Sequence, residues 1–93
     1  MKNNIQKLSE SNYFVVLSPD GFTIHREREY KTTEEVLEAV EEWKKRFEEQ
    51  GYYACVKERI PYQDIPDYLT VQEWNQNEEI VREFPFSELM PKN

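Results

Sequence analysis

Residues 32–51, TTEEVLEAVEEWKKRFEEQG, decide the fold of this chain, because a start signal, an apolar stripe, a charged face and a stop signal coincide in one stretch. Thr32 and Glu35 form an S/T-x-x-E capping box, in which hydroxyl and carboxylate accept from backbone N–H groups that the first helical turn leaves unpaired. Glu34 and Glu35 also sit near the positive end of the helix dipole. At about 100° per residue, Val36, Val40, Trp43 and Phe47 fall on one narrow arc, flanked by Leu37 and Ala39. Glu41/Lys45 and Glu42/Arg46 have the favourable acid-first spacing, worth roughly 0.2–0.5 kcal/mol per pair. Gly51 supplies the left-handed residue that ends such a helix. About 18 residues at 1.5 Å each predict a rod of roughly 27 Å with one apolar side, built to lie on a sheet.

Upstream, Tyr13-Phe14-Val15-Val16-Leu17 reads as a strand and Ser18-Pro19-Asp20-Gly21 as a turn, with Pro and Gly at the second and fourth turn positions. Phe22-Thr23-Ile24-His25-Arg26 alternates apolar and polar residues and predicts the second strand of a hairpin, becoming charged toward Tyr30. Downstream, Tyr52 to Lys57 predicts a strand with Tyr52, Ala54 and Val56 on one face and Tyr53, Cys55 and Lys57 on the other. The two prolines of residues 60–67 argue against a central strand there and for a loop with one helical turn. Tyr68 to Trp74 alternates as a further strand, and residues 80–84 fit either an edge strand or a short helix.

The resulting fold class is α+β, β-β-α-β-β with an optional fifth strand: an antiparallel or mixed sheet of three to five strands with one long amphipathic helix on one face. Trp43 and Phe47 are expected to meet Phe14 or Val16, Phe22, Ile24 and Val56. Residues 1–11 read as a flexible tail, 12–84 as a single domain and 85–93 as a C-terminal tail. With 93 residues the chain is long enough to bury a core without metals or disulfides.

The single cysteine, Cys55, forms no internal bridge, and no apolar run has the length of a signal peptide or a membrane span, so a cytoplasmic protein is expected. The net charge of −7 is uneven: +1 over residues 1–31, −4 over 32–50, +1 over 51–59 and −5 over 60–93. No Lys/Arg cluster exists to neutralise a phosphate backbone, which argues against direct nucleic-acid binding.

Asp20-Gly21-Phe22 followed by Ile24, a helix containing Trp43, Arg46, Phe47 and Glu48, and Gln50-Gly51-Tyr52-Tyr53 ahead of Ile60-Pro61 together resemble small hypothetical bacterial proteins of similar length. The resemblance covers residues 13–70, leaves the segment after Asn75 outside it, and implies no activity, cofactor or catalytic residue.

Chemistry-bearing patterns are sparse. His25 and Cys55, the only residues of their types, make a nucleophile pair conceivable, but a lone histidine on a strand and a cysteine beside two tyrosines are ordinarily surface and packing residues. Two such ligands cannot build a structural zinc site. Asp64, Asp67 and Glu73 lack the alternating oxygens and central glycine of an EF-hand loop. Two glycines, Gly21 and Gly51, cannot assemble a phosphate-cradling loop. No cofactor, metal or catalytic residue is therefore assigned.

Aromatic residues make up 14% of the chain, and one helix covers only one sheet face. The other face, with Tyr53, Trp74, Phe84 and Phe86 as candidate contact residues, calls for cover by the C-terminal segment, a second protomer or another protein. The leading expectation is a non-catalytic protein-interaction module, with self-association as one form of it. The alternative is an acidic nucleic-acid mimic that presents Glu34, Glu38, Glu41, Glu42, Glu48 and Glu49 to a nucleic-acid-binding protein. A small enzyme with a site that sequence does not reveal is the third class.

Overall fold

The computed structural model describes residues 12–25 and 29–90. Five strands form two antiparallel sheets beside one main helix, an α+β domain. β1 (Tyr13–Leu17), β4 (Thr70–Trp74) and β5 (Ile80–Pro85) make the larger sheet in the order β1-β4-β5, and β2 (Tyr52–Ala54) pairs with β3 (Arg59–Pro61) in a separate ribbon. The helix α1 spans Thr33–Lys44 and continues as a 3-10 turn over Lys45–Phe47. Two further 3-10 segments, Tyr62–Tyr68 and Phe86–Leu89, precede β4 and follow β5.

The capping residues act as their types require, with one displacement. Thr32 Oγ1 accepts from Glu35 N–H at 3.1 Å, while Glu35 Oε1 accepts from Lys31 N–H at 2.6 Å, one residue ahead of the usual capping-box partner. The α-helical part is shorter than the expected rod because its last turn tightens, Glu48 N–H donating to Lys45 O at 3.2 Å, before Gly51 N–H returns to Phe47 O at 2.9 Å in a closing turn of α-type spacing. Gly51 closes it at φ +88°.

Register explains the core. Phe14 stands opposite Glu73 and Val16 opposite Val71, with Arg82 and Phe84 continuing the two rows on β5. Phe14, Val16 and Val71 are buried in one cluster with Val36, Ala39, Val40 and Trp43 of α1, so the helix covers this inner face. Trp43 packs on Phe47 and Tyr53 with ring centroids 5.0 and 5.6 Å apart, and Phe47 on Tyr53 at 5.0 Å. Ile60, Ile65 and Leu69 bring the β2–β3 ribbon and the Tyr62–Tyr68 segment into the same core.

Several expectations need correction. The predicted hairpin partner of β1 is not a strand over the described residues 22–25: these and Tyr30 meet β1 through isolated bridges, Thr23 to Leu17 and Tyr30 to Phe14, with Ile24 N–H donating to Val16 O at 3.0 Å. Arg26 lies outside the described residues. The strand expected from Tyr52 to Lys57 stops at Ala54, because Cys55 N–H donates to Glu58 O at 2.8 Å and turns the chain into β3, a segment read from sequence as a loop. Val56 then occupies the turn tip, 89% exposed, and Phe22 is 75% exposed, so neither belongs to the core. The expected single helical turn is the Tyr62–Tyr68 segment, and residues 80–84 are strand. Residues 85–90 are not a tail, since Pro85 closes β5 and Phe86 is 2% exposed. The tail expected over residues 1–11 lies outside the described residues.

Candidate interaction surface

The alternation of a strand puts every second residue on the face away from α1. On that outer face Tyr13 stands opposite Trp74, Val15 opposite Gln72 and Leu17 opposite Thr70, while Gln72 faces Glu83 and Trp74 faces Ile80 across β5. All six β1 and β4 residues are half-buried, and Tyr13, Val15, Leu17 and Trp74 stand apart from the core cluster. A bulge between Glu73 and Trp74 adds a residue to β5, and Ile80 and Val81 are 49% and 52% exposed beside Trp74.

A string of side-chain hydrogen bonds orients the indole. Trp74 Nε1–H donates to Gln72 Oε1 at 3.1 Å, and Gln72 Nε2–H donates to Glu83 Oε2 at 2.8 Å. The ring is thus held over the sheet by groups from two strands. Glu83 is the only charged residue among these outward positions of the three strands, and the Lys31 ammonium lies 5.9 Å from the Tyr13 ring, so the patch carries little charge on a chain of net charge −7.

Of the four residues singled out from sequence, Trp74 alone lies on this face. Tyr53 is turned under the helix against Trp43 and Phe47, because the β2–β3 ribbon is a separate sheet and does not extend the larger one. Phe84 is on the inner face, edge-on to Phe14 at 6.2 Å, with the Arg82 guanidinium 4.8 Å from its centroid. Phe86 is buried. Tyr13, Val15, Leu17, Ile80 and Val81 join Trp74 instead. The alternation within Tyr13–Leu17, with Phe14 and Val16 expected against the helix, already left Tyr13, Val15 and Leu17 for the other face, whereas the pairing that brings Ile80 and Val81 beside Trp74 had no local signal.

A second constellation gathers around Asp20. Tyr53 O–H donates to Asp20 Oδ2 at 2.9 Å, and Asp20 Oδ1 accepts from the Cys55 thiol at 3.0 Å and from Val56 N–H at 3.2 Å. The thiol, the Val56 amide and the phenol hold the Asp20 carboxyl below its ordinary range. Burial pushes the Tyr53 phenol up, and the Asp20 carboxylate adds to the rise. His25 Nδ1 lies 2.8 Å from Tyr30 Oη. The Asp20 arrangement is a clasp between the turn after β1 and the turn between β2 and β3.

Two hollows lie against α1. One, of about 260 Å³, is lined by Glu29, Tyr30, Glu35, Glu38, Ala39 and Glu42. The other, of about 370 Å³, runs between α1 and β5. Among the described residues no group of three or more His, Cys, Asp or Glu side chains is gathered as a metal ion would need, and no helix is long and apolar enough to cross a membrane.

No protein-family model, curated protein or solved structure matches the chain.

Proposed function

We propose that the chain is a non-catalytic protein-interaction module that self-associates through the outer sheet face centred on Trp74. The observation that carries this reading is the pairing of an oriented, half-buried tryptophan with exposed Ile80 and Val81 on a patch that carries little charge. Two copies of an acidic chain repel each other wherever their carboxylates meet, and this patch is where they approach with little such penalty. Isologous pairing about a two-fold axis is the commonest way for one surface to cover itself.

The size of the patch sets the strength. Three strands 4.8 Å apart and about 17 Å long give a footprint of roughly 240 Å², well below the roughly 800 Å² per partner of a stable interface. The dimer is therefore weak and concentration-dependent. A reducing, cytoplasmic setting suits the unpaired Cys55 thiol of this reading.

Sedimentation velocity over a wide concentration range tests it. Wild type should shift toward dimer as concentration rises, and Trp74→Glu should remain monomeric with an unchanged circular dichroism spectrum. A wild-type chain that stays monomeric at millimolar concentration overturns the proposal.

A second reading draws on the hollow lined by Glu29, Glu35, Glu38 and Glu42, which gathers carboxylates from α1 and the segment before it. It supports an acidic mimic that occupies a nucleic-acid-binding protein. Such binding to a basic DNA-binding protein would fall steeply as salt rises and would be lost in Glu38→Lys/Glu42→Lys, whereas contact through Trp74 would respond to neither.

A further inference from the structure

β5 ends the larger sheet, with no strand beyond it among the described residues, and the groove between α1 and β5 lies along the inner side of that edge. Leu37 of α1, Phe84 of β5 and Leu89 of the Phe86–Leu89 turn supply its apolar lining, and the exposed Glu34 and Glu88 lie at its rim. Arg82 also lines it, but its Nε–H donates to Glu73 Oε1 at 2.7 Å and its guanidinium stacks on Phe84, so its charge is already engaged. At about 370 Å³ the groove is at the small end of the range of binding pockets, which starts near 300 Å³.

The backbone of β5 offers hydrogen bonds to match. Phe86 N–H donates to Leu69 O at 3.0 Å, so in an antiparallel ladder Phe84 and Arg82 also turn their amides toward β4. Glu83 N–H and C=O then point to the open edge, joined by the carbonyl of Pro85, which has no N–H to give. Pro85 and the bulge opposite Trp74 limit pairing to a short run, the usual protection of an edge against unlimited sheet growth. A second copy is a poor occupant, because edge-to-edge pairing would bring the Glu34, Glu83 and Glu88 carboxylates of two acidic chains together.

We propose that the β5 edge and the groove beside it bind a short extended peptide of alternating apolar and basic residues, added to the larger sheet as a further strand. Its main chain pairs with Glu83, its apolar side chains enter the groove against Leu37, Phe84 and Leu89, and its alternate cations meet the Glu83 carboxylate on the outer face, in an acidic field to which Glu34 and Glu88 at the groove add. The groove is on the opposite side of the sheet from Trp74, and binding there does not depend on self-association.

The test is an amide-shift titration of the full ¹⁵N-labelled chain with acetyl-Lys-Val-Lys-Val-Lys-Val-amide, the same peptide N-methylated at alternate amides, and its Glu-Val counterpart. Saturable changes are expected at the amides of Val81, Glu83, Leu37 and Leu89 with the first peptide only. Glu34→Lys/Glu88→Lys, two surface changes whose spectrum reports folding directly, should weaken it several-fold. Equal binding of the N-methylated peptide, changes centred on Glu38 and Glu42, or no saturable change would each overturn the proposal.

Discussion

The Cys55 thiol donates to Asp20 Oδ1 at 3.0 Å across 35 positions of sequence, and the same carboxylate takes the Tyr53 hydroxyl at 2.9 Å. Asp20 sits in the turn after β1, whereas Tyr53 and Cys55 belong to the β2–β3 ribbon. One half-buried carboxylate thus ties the ribbon to the larger sheet. Its pKa is lowered, so the stabilisation it provides is present above the ordinary carboxylate range and is lost as pH falls through its depressed folded value. Thermal melts between neutral and strongly acid pH should show Asp20→Asn with a lower midpoint than wild type near neutrality, the gap narrowing as acid protonates the wild-type group. A constant gap across that range would remove the carboxylate from the account.

Glu73 is 8% exposed, and its oxygens accept from Arg82 Nε–H and from Asn12 Nδ2–H, both at 2.7 Å. Removing one partner leaves a buried charge short of a donor, while removing both charges together need not. The Arg82 side chain is 59% exposed and Asn12 remains, so Arg82→Leu should cost about 1–2 kcal/mol, below the range for a fully buried pair. Glu73→Leu/Arg82→Leu should cost less than the sum of the single changes. Urea unfolding of the four proteins measures the coupling, and strict additivity would deny it.

Trp43 is the centre of the helix-side core, 5% exposed between Phe47 and Tyr53. Truncation to alanine should cost about 3–5 kcal/mol, the usual range for a large aromatic in a packed core. An unchanged urea midpoint for Trp43→Ala would mean that the helix does not rest on this residue.

Local rules made the helix legible. Thr32, the Val36–Val40–Trp43 stripe and Gly51 each act on the backbone or face next to them as their types predict, and Glu35 departs only by taking the Lys31 amide in place of that of Thr32. The strands Tyr13–Leu17 and Thr70–Trp74 were likewise readable from alternation. Pairing was not, because it depends on distant residues. Pro61 argued against a strand, yet it ends β3 at the margin of a two-stranded ribbon, where a missing N–H costs nothing to an inner ladder. With that ribbon hidden, Tyr53 was assigned to the face away from the helix, and the surface around Trp74 lost its actual neighbours, Tyr13 and Ile80.

Glu78 holds φ at +61° in the loop from β4 to β5, a conformation that non-glycine residues adopt at a cost. The loop is fixed around it: Asn75 Oδ1 accepts from Asn77 N–H at 2.9 Å and Glu79 N–H at 3.1 Å, and Asn75 N–H donates to Glu79 O at 3.0 Å. Glu78→Gly should therefore stabilise the chain by about 0.5–1 kcal/mol, relief of the left-handed strain exceeding the added freedom of the unfolded chain. A lowered melting midpoint would show that the Glu78 side chain contributes more than its backbone conformation costs.

Val56 separates pattern from packing most sharply. By period-two reading it belongs beside Tyr52 and Ala54 in the core, yet it lies 89% exposed at the tip of the β2–β3 turn, where only its backbone N–H is used, by Asp20. A side chain already in water forfeits no apolar contact when it becomes polar, so Val56→Lys should shift stability by no more than about 0.5 kcal/mol. The buried neighbour Ile60, 1% exposed and opposite Tyr53 in the ribbon, supplies the contrast: Ile60→Ala should cost about 2–5 kcal/mol. Parallel urea curves decide between the two assignments, since a Val56→Lys chain destabilised as much as Ile60→Ala would put residue 56 back into the interior.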